Sequence, residues 1–152
     1  MLISAFSKHA ERRLENSRKL DLAGGVTYRL IAEVPTDMAL PAVRIDSGLF
    51  KYVLVKCSAL GGKERFLVRG FVGCAYHADV FERLEEEVAE LPHDARPTLL
   101  CMGGGRIEHK PGKINIYGYS QAYGRADHAL TERLCKETFG GAYTITWSND
   151  GY

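Results

Sequence analysis

The spacing of apolar residues divides the chain into an irregular start and a patterned remainder. Residues 1–40 show no sustained period after a short amphipathic stretch, and glycine and proline interrupt them. From Val43 onward, β-branched and aromatic runs alternate with stripes of helical spacing. The pattern therefore predicts an N-terminal extension over residues 1–40 and a single domain over residues 41–152.

Two helices are predicted in the patterned part. Apolar residues three or four positions apart indicate one helix over residues 76–91, widened by Phe81 and ended by Pro92. A second helix is indicated over residues 126–138, followed by a glycine pair that ends it. The positions expected to face the core are Val80, Leu84, Val88 and Leu91 in the first helix, and Ala126, Leu130 and Leu134 in the second.

Strands are predicted around these helices. Runs rich in β-branched and aromatic residues mark strands at residues 50–57 and 143–147, and residues 64–71 are the hairpin partner of the first. A short apolar run marks a strand at residues 98–102, the pattern resumes at 106–109, and alternation marks a strand at 113–119. The three glycines at residues 103–105 are predicted to form a tight turn where backbone passes closely. Tyr143, Ile145 and Trp147 are expected to share one face of the last strand. Hairpins between consecutive strands exclude a purely parallel sheet, so the predicted fold is an α/β single-domain sandwich of a mixed sheet with two main helices.

The charge balance and the cysteines limit the class of protein. The 20 basic and 19 acidic residues give a formal net charge of +1, which disfavours nucleic acid or an anionic membrane as a partner. No apolar run reaches the length of a membrane span. The four cysteines are scattered without a C-x-x-C pair, as is typical of reduced thiols in a cytosolic protein. A cytoplasmic location is therefore expected.

The amphipathic start leaves a second location open. It carries Lys8, Arg12 and Arg13, as mitochondrial presequences do, but acidic residues, which such sequences avoid, follow closely. Mitochondrial targeting is the less favoured alternative. No secretory signal is expected, because the apolar stretch is too short.

The five histidines include one candidate for catalysis. None of them shows the paired spacing of a metal site, so no metal or other cofactor is expected. His77 falls in the first turn of the first predicted helix, where free backbone N–H groups and a partial positive charge suit an anionic phosphate. The same positive end lowers the pKa of a nearby histidine and keeps it neutral. The alternative is a histidine that only packs or caps the helix.

Cys101 and Arg106 resemble the pair used by cysteine-dependent phosphatases, but the spacing differs. Four residues separate them here, whereas that class has five, and a shorter loop does not place the same ring of N–H donors. The apolar strand before Cys101 also indicates a buried, inert thiol. The glycine run lacks the lysine and serine that end a nucleotide P-loop. A cysteine mechanism and nucleotide binding are therefore both disfavoured.

Three further positions have the chemistry for binding an anion. Residues 118–124 (GYSQAYG) form a glycine-flanked loop around Ser120 that is able to present backbone N–H groups as a nest. Lys51 and Arg69 lie on the two strands of the first predicted hairpin, where they are able to clamp a dianion. The alternative for Lys51 and Arg69 is that both are solvated strand charges.

Seven ordered motifs resemble one family. They are FKYVLVK at residues 50–56, VRGF at 68–71, YHADVFE at 76–82, GGGRIEH at 103–109, YGYSQAYG at 117–124, ADHA at 126–129 and NDGY at 149–152. Together they span roughly residues 43–152 and resemble the small phosphohistidine phosphatase family, which includes the janus and ocnus sex-regulated proteins of insects. The GRIEH and YGYSQ segments are most similar to the janus branch. The resemblance implies a metal-free α/β sandwich.

The resemblance also implies a role for each matching residue. His77 corresponds to the catalytic histidine and Lys51 to the substrate-binding lysine. The other matching positions are the phosphate-binding loop of Ser120, Gln121 and Ala122, an arginine next to the active site, Arg69, and a second histidine of less defined role, His128.

Three functions from different classes follow from these observations. The first is a phosphatase that hydrolyses the P–N bond of phosphohistidine in proteins, with His77 activating water as a general base or attacking as a nucleophile. The second is a catalytically idle module that binds phosphoproteins. The third is a regulator of sexual differentiation of the janus type. The first is favoured because His77, Lys51 and the loop occur together, and an enzyme with so small a pocket is expected to work as a monomer on phosphohistidine-containing proteins.

Overall fold

One six-stranded sheet forms the centre of residues 40–152, the part of the chain described by the computed structural model. The strands are β1 (Val43–Ile45), β2 (Gly48–Ser58), β3 (Glu64–Phe71), β4 (Thr98–Lys110), β5 (Lys113–Tyr117) and β6 (Thr144–Trp147). The helices are α1 (His77–Ala89) and α2 (His128–Phe139), and short 3₁₀ turns occupy His93–Ala95 and Gly140–Ala142. The predictions for residues 1–39, including mitochondrial targeting, lie outside the described residues.

The sheet is mixed, as predicted. Its strand order is β1-β3-β2-β4-β5-β6, with β1 and β3 parallel, β5 and β6 parallel, and the other neighbouring pairs antiparallel. One helix covers each face of the sheet. Because successive side chains of a strand point to opposite faces, neighbouring residues of one strand pack against different helices. In β2, Tyr52 and Leu54 pack in the core beside α2, whereas Val53 and Val55 pack in the core beside α1. The predicted α/β sandwich with two main helices is confirmed.

The core positions of α1 agree with the predicted stripe, and those of the second helix agree in part. In α1, Val80, Leu84 and Val88 are buried. Ala126, just before α2, is buried as predicted, and Leu130 and Leu134 pack partly against the core. The buried side chains within α2 are His128, Thr131 and Cys135. A search for apolar periodicity missed this face, because two of its three buried residues are polar. In β6 the predicted shared face is buried at Ile145 only; Trp147 is exposed.

The predicted tight turn at the glycine run is wrong. β4 runs without a break through Gly103, Gly104 and Gly105 and pairs with the full length of β2. A register shift between Leu54 and Val55 of β2 accommodates one extra residue of β4 at Met102. A bulge of this kind bends the strand without ending it.

The close approach of backbone at these glycines is confirmed. A Cβ atom on Gly103, Gly104 or Gly105 would lie within 2.5–2.7 Å of another heavy atom. Glycine is therefore required at these positions because the sheet leaves no room for a side chain. It is not required to turn the chain, since the strand continues.

Hydrogen bonds to side chains fix where the two helices begin. The amide of Tyr76 donates to Asp79 Oδ2 at 2.8 Å, and the amide of Leu130 donates to Asp127 Oδ1 at 3.0 Å. These caps start α1 at His77 and α2 at His128, each within two residues of the predicted start. A histidine thus opens both helices, on opposite faces of the sheet.

Candidate active site

His77 lies in the first turn of α1, with its ring turned back onto β4. The side chain is buried, and Nε2 lies 2.9 Å from the carbonyl oxygen of Gly105. Because a carbonyl only accepts, Nε2 carries the hydrogen in the neutral ring and Nδ1 keeps its lone pair. No residue among those described hydrogen-bonds to Nδ1. The ring is therefore held by one nitrogen and presents the other for chemistry.

The surroundings of His77 keep its ring neutral. Burial lowers the pKa of His77 below its ordinary value, and the positive charges of Lys51 and Arg106 lower it further. The hydrogen bond to the Gly105 carbonyl opposes this shift only in part. A neutral imidazole with a free nitrogen is able to take a proton or to attack phosphorus at neutral pH.

Gly104 creates the space in which the site assembles. A Cβ atom on Gly104 would lie 2.7 Å from Cδ2 of His77 and 3.1 Å from Cβ of Ser120. The two side chains therefore converge on the same point above the bare backbone of β4. His77 and the predicted phosphate loop, which lie far apart in sequence, become neighbours in this way.

Two cations flank this point on the same face of the sheet. Lys51 of β2 and Arg106 of β4 are direct partners in the strand register, so their side chains project to the same side, the side covered by α1. Neither forms an ion pair with an acid among residues 40–152. Their charges are therefore uncompensated, which suits a dianionic ligand.

No role was assigned to Arg106 from the sequence alone. The signal that identifies it is strand alternation: with the glycine run extended, Arg106 lies two residues beyond Gly104 and on the same face. That signal was hidden because the run was interpreted as a turn.

The loop after β5 is a closed turn with an exposed tip. The amide of Ser120 donates to the carbonyl of Gly124 at 3.0 Å, and the amide of Gly124 donates back at 2.8 Å. The Ser120 hydroxyl accepts from the amide of Tyr123 at 3.1 Å. At the tip, the amides of Gln121 and Ala122 find no acceptor among residues 40–152. Of the three predicted loop residues, Ser120 builds the turn, and the other two have amides available for an anion.

The structure places Arg69 beneath α1, away from His77. Its guanidinium is fully buried, with Nε 3.2 Å from both carboxylate oxygens of Glu87, and Nη1 donating to the carbonyls of Pro41 and Val68. Nη2 lies 3.2 Å from Glu87 Oε2, within ion-pair distance but poorly aligned for a hydrogen bond. Glu87 is ten residues after His77, or about 15 Å along the helix. Arg69 thus anchors the far part of α1 to the sheet.

Replacing Arg69 by methionine is expected to lower the free energy of unfolding by about 2–4 kcal/mol, because it breaks a buried ion pair. The folded variant should keep its KM for a phosphorylated substrate within about threefold, since the replaced side chain lies beneath the helix. Denaturant unfolding and steady-state kinetics measure the two effects. A tenfold rise in KM without loss of stability would instead support the sequence-based role in phosphate binding.

His128 lies on the opposite face of the sheet from His77. Its Nε2 donates to the carbonyl of Gly118 at 2.8 Å, and its Nδ1 accepts from the hydroxyl of Tyr52. Thr131 lies 3.2 Å from the same hydroxyl. Burial lowers the pKa of His128, so the ring is a neutral link in a buried network. The network holds the backbone two residues before Ser120, and no part of it reaches the His77 face.

The structure also bears on the cysteine mechanism, a metal site and a membrane span. Cys101 and Arg106 lie on one extended strand and not at the two ends of a loop, and burial raises the pKa of the Cys101 thiol. Among residues 40–152, no cluster of three or more His, Cys, Asp or Glu side chains is arranged to hold a metal ion. No helix in that same range is long and apolar enough to cross a membrane.

A known family model covers most of the described residues. The Janus/Ocnus family model matches residues 38–143, which include His77, Lys51, Arg106 and the loop. The chain belongs to the Janus/Ocnus family. The resemblance inferred from the seven motifs is thereby confirmed.

Relatives of this Janus/Ocnus chain carry two kinds of name. Sex-regulated protein janus-A of Drosophila simulans is 44% identical over 116 residues, covering 74% of this chain and 82% of that protein. The 14 kDa phosphohistidine phosphatase of Homo sapiens is 40% identical over 126 residues, covering 76% of this chain and 97% of that protein. The protein of that name from Sus scrofa is 38% identical over 122 residues, covering 74% of this chain and 93% of that protein. The chain is thus similar both to proteins named for sex regulation and to proteins named for an enzyme.

Proposed function

We propose that this protein is a metal-independent phosphatase that hydrolyses the P–N bond of phosphohistidine in proteins. The observation that carries the proposal is the neutral, buried His77, which is bonded at Nε2 alone among residues 40–152 and lies near the cations Lys51 and Arg106. A site for binding alone has no need of a neutral histidine pinned in one tautomer. The similarity to two proteins named phosphohistidine phosphatase supports the same choice.

In this proposal the phosphoryl group binds above Gly104. Lys51 and Arg106 neutralise its equatorial oxygens, and the amides of Gln121 and Ala122 donate to them from the loop tip. The transition state of phosphoryl transfer is loose, with charge spread over these oxygens. Fixed donors around it lower the barrier more effectively than strong activation of the nucleophile does.

His77 acts as the general base. Its Nδ1 takes a proton from water as the water oxygen bonds to phosphorus. The P–N bond breaks with its electron pair passing to the imidazole nitrogen of the substrate, which takes up a proton, so the products are inorganic phosphate and histidine. Direct attack by Nδ1, followed by hydrolysis of a phosphorylated His77, is the competing route.

Phosphate release from a protein phosphorylated on histidine tests the proposal. The wild-type chain is incubated with the substrate in excess chelator, and spontaneous loss is subtracted with a blank. We expect release well above the blank, and none from the same protein phosphorylated on serine. Release at the blank rate would refute the proposal and favour a phosphoprotein-binding or regulatory protein of the janus type.

The pH dependence of kcat/KM should report the pKa of His77 in the free protein. Because protonated His77 neither accepts a proton nor attacks, kcat/KM rises with pH through that pKa. Burial and two cations lower the pKa below the ordinary 6.5, so kcat/KM at pH 6.5 should exceed half of its plateau. Lys51→Met removes one cation and should move the midpoint to higher pH. A midpoint above pH 6.5, or one unmoved in that variant, would contradict the assignment.

A non-catalytic regulator is the second candidate. The observation that favours it is the 44% identity to janus-A, a protein named for sex regulation. Such a protein would bind phosphorylated partners at the same site without turnover. The release assay separates the two functions, since only an enzyme removes many phosphoryl groups per molecule.

A further inference from the structure

Arg106 contacts an aromatic ring, and among residues 40–152 it pairs with no carboxylate. Its guanidinium carbon lies 5.3 Å from the centroid of the Tyr152 ring. A ring of this kind attracts a cation through its quadrupole but carries no net charge. The contact therefore orients the guanidinium and leaves its positive charge available to an anion, whereas an acid in the same position would neutralise it.

Tyr152 also contacts the segment that leads into the loop. Its ring lies 5.1 Å from that of Tyr119, edge to face, and Tyr119 directly precedes Ser120. Its backbone carbon lies 3.6 Å from the position of a Cβ on Gly118. Tyr152 thus touches both parts of the anion site, the cation on β4 and the approach to the loop after β5.

The exposure of Tyr152 argues against a purely structural role. Its side chain is 54% exposed, so packing in the core does not account for its place. Among residues 40–152 its hydroxyl makes no hydrogen bond, so its interactions there are those of the ring.

We propose that Tyr152 is a positioning residue for the phosphoryl group, acting by holding the guanidinium of Arg106 toward the anion and against the loop. The proposal rests on the proposed function for its kinetic readout, but its binding readout does not. It predicts that an aromatic ring is required at this position and that a hydroxyl is not.

Three variants separate the ring from its bulk. Tyr152→Phe keeps the ring, Tyr152→Leu keeps apolar bulk without a quadrupole, and Tyr152→Ala removes both. Trp147→Leu is the matched control, because Trp147 is an exposed aromatic residue on β6 outside the site. The thermal midpoint of every variant is measured first, and each is expected to fold because neither Tyr152 nor Trp147 belongs to the buried core.

The experiment measures the Kd of inorganic phosphate by NMR titration of backbone amides, and kcat and KM on a phosphohistidine protein. We expect Tyr152→Phe and Trp147→Leu to match wild type within twofold. Tyr152→Leu and Tyr152→Ala should raise Kd and KM by about three- to tenfold, with kcat little changed. In an Arg106→Met background the same substitutions should have no further effect, because the residue that they position is gone.

Two results would overturn the proposal. One is a leucine variant that binds phosphate as well as wild type. The other is an alanine effect that persists in the Arg106→Met background. If the wild type binds phosphate without releasing it from phosphohistidine, the proposed function fails while the Kd series still decides the role of Tyr152. If the wild type releases phosphate without measurable binding of inorganic phosphate, the KM series decides the role of Tyr152. If it neither binds nor releases phosphate, both proposals are overturned.

Discussion

Replacing His77 by glutamine is expected to lower kcat for phosphohistidine hydrolysis by about 100- to 10,000-fold. A glutamine amide is able to keep the hydrogen bond to the Gly105 carbonyl, which His77 Nε2 now makes at 2.9 Å. It has no basic nitrogen, so it neither accepts a proton from water nor attacks phosphorus. Steady-state kinetics gives the loss of rate, and the thermal midpoint shows whether the fold is kept.

The alanine variant completes this test. His77→Ala leaves the Gly105 carbonyl without its partner, so it should lose stability by about 1–3 kcal/mol in addition to activity. If the two variants are equally inactive and only the alanine variant is destabilised, chemistry and packing are separated at one position. A glutamine variant within tenfold of wild type would show that His77 is not the base.

The fate of the phosphoryl group distinguishes the two routes open to His77. If water is the nucleophile, no phosphate becomes covalently attached to the protein during turnover, and free imidazole should partly restore the rate of the alanine variant. If Nδ1 attacks, acid-labile phosphate should be trapped on His77 during rapid-quench turnover. The free Nδ1 is compatible with both routes.

The parts of the fold that the sequence predicted correctly are those that carry a repeating side-chain pattern. The stripe of α1 and the β-branched runs of β2 and β3 are continuous signals, and the predicted helix and strands were found there. Glycine has no side chain and so interrupts such a pattern whether or not the strand continues. The run at residues 103–105 was therefore interpreted as a turn, although backbone pairing with β2 extends straight through it.

The sequence identifies candidate site residues whose position follows from a local pattern. It does not identify those whose position depends on a residue distant in the sequence. His77 was identified from its position at a helix start. Arg69 has the charge of a phosphate ligand, but its role depends on Glu87, whose placement beneath the same helix no local pattern reveals. Arg106 depends on strand register in the same way, because only pairing across the sheet places it beside Lys51.

A single methyl group at Gly104 should have the second large effect. In Gly104→Ala the new Cβ would lie 2.7 Å from both Cδ2 of His77 and the backbone oxygen of Tyr52. The strand has little room to move, because it pairs on both sides, so the His77 ring must shift. We expect kcat/KM to fall by at least about 100-fold, since a shift of about 1 Å in a positioned group has this effect. The free energy of unfolding should fall by about 1–3 kcal/mol.

The neighbouring glycine supplies the matched comparison, because its missing side chain points to the other face. In Gly105→Ala the Cβ would lie 2.5 Å from the backbone oxygen of Tyr117 and 2.7 Å from Cε1 of His128. This variant should be destabilised at least as much. Its folded fraction should lose less kcat/KM than Gly104→Ala, because its Cβ does not touch the His77 ring and disturbs His77 only through the Gly105 carbonyl. Gly141→Ala, with no atom within 4 Å, should change neither quantity.

Denaturant unfolding and kinetics at a temperature where each variant is folded decide between two accounts of the glycine run. If Gly104→Ala loses activity far beyond its loss of stability while Gly105→Ala does not, the run serves the site by leaving room for His77 on one face and for the His128 network on the other. Equal losses of activity in both variants would mean that direct contact with the ring is not the decisive effect. In that case His77 would be positioned mainly through the backbone of β4, whose Gly105 carbonyl accepts the hydrogen bond from its Nε2.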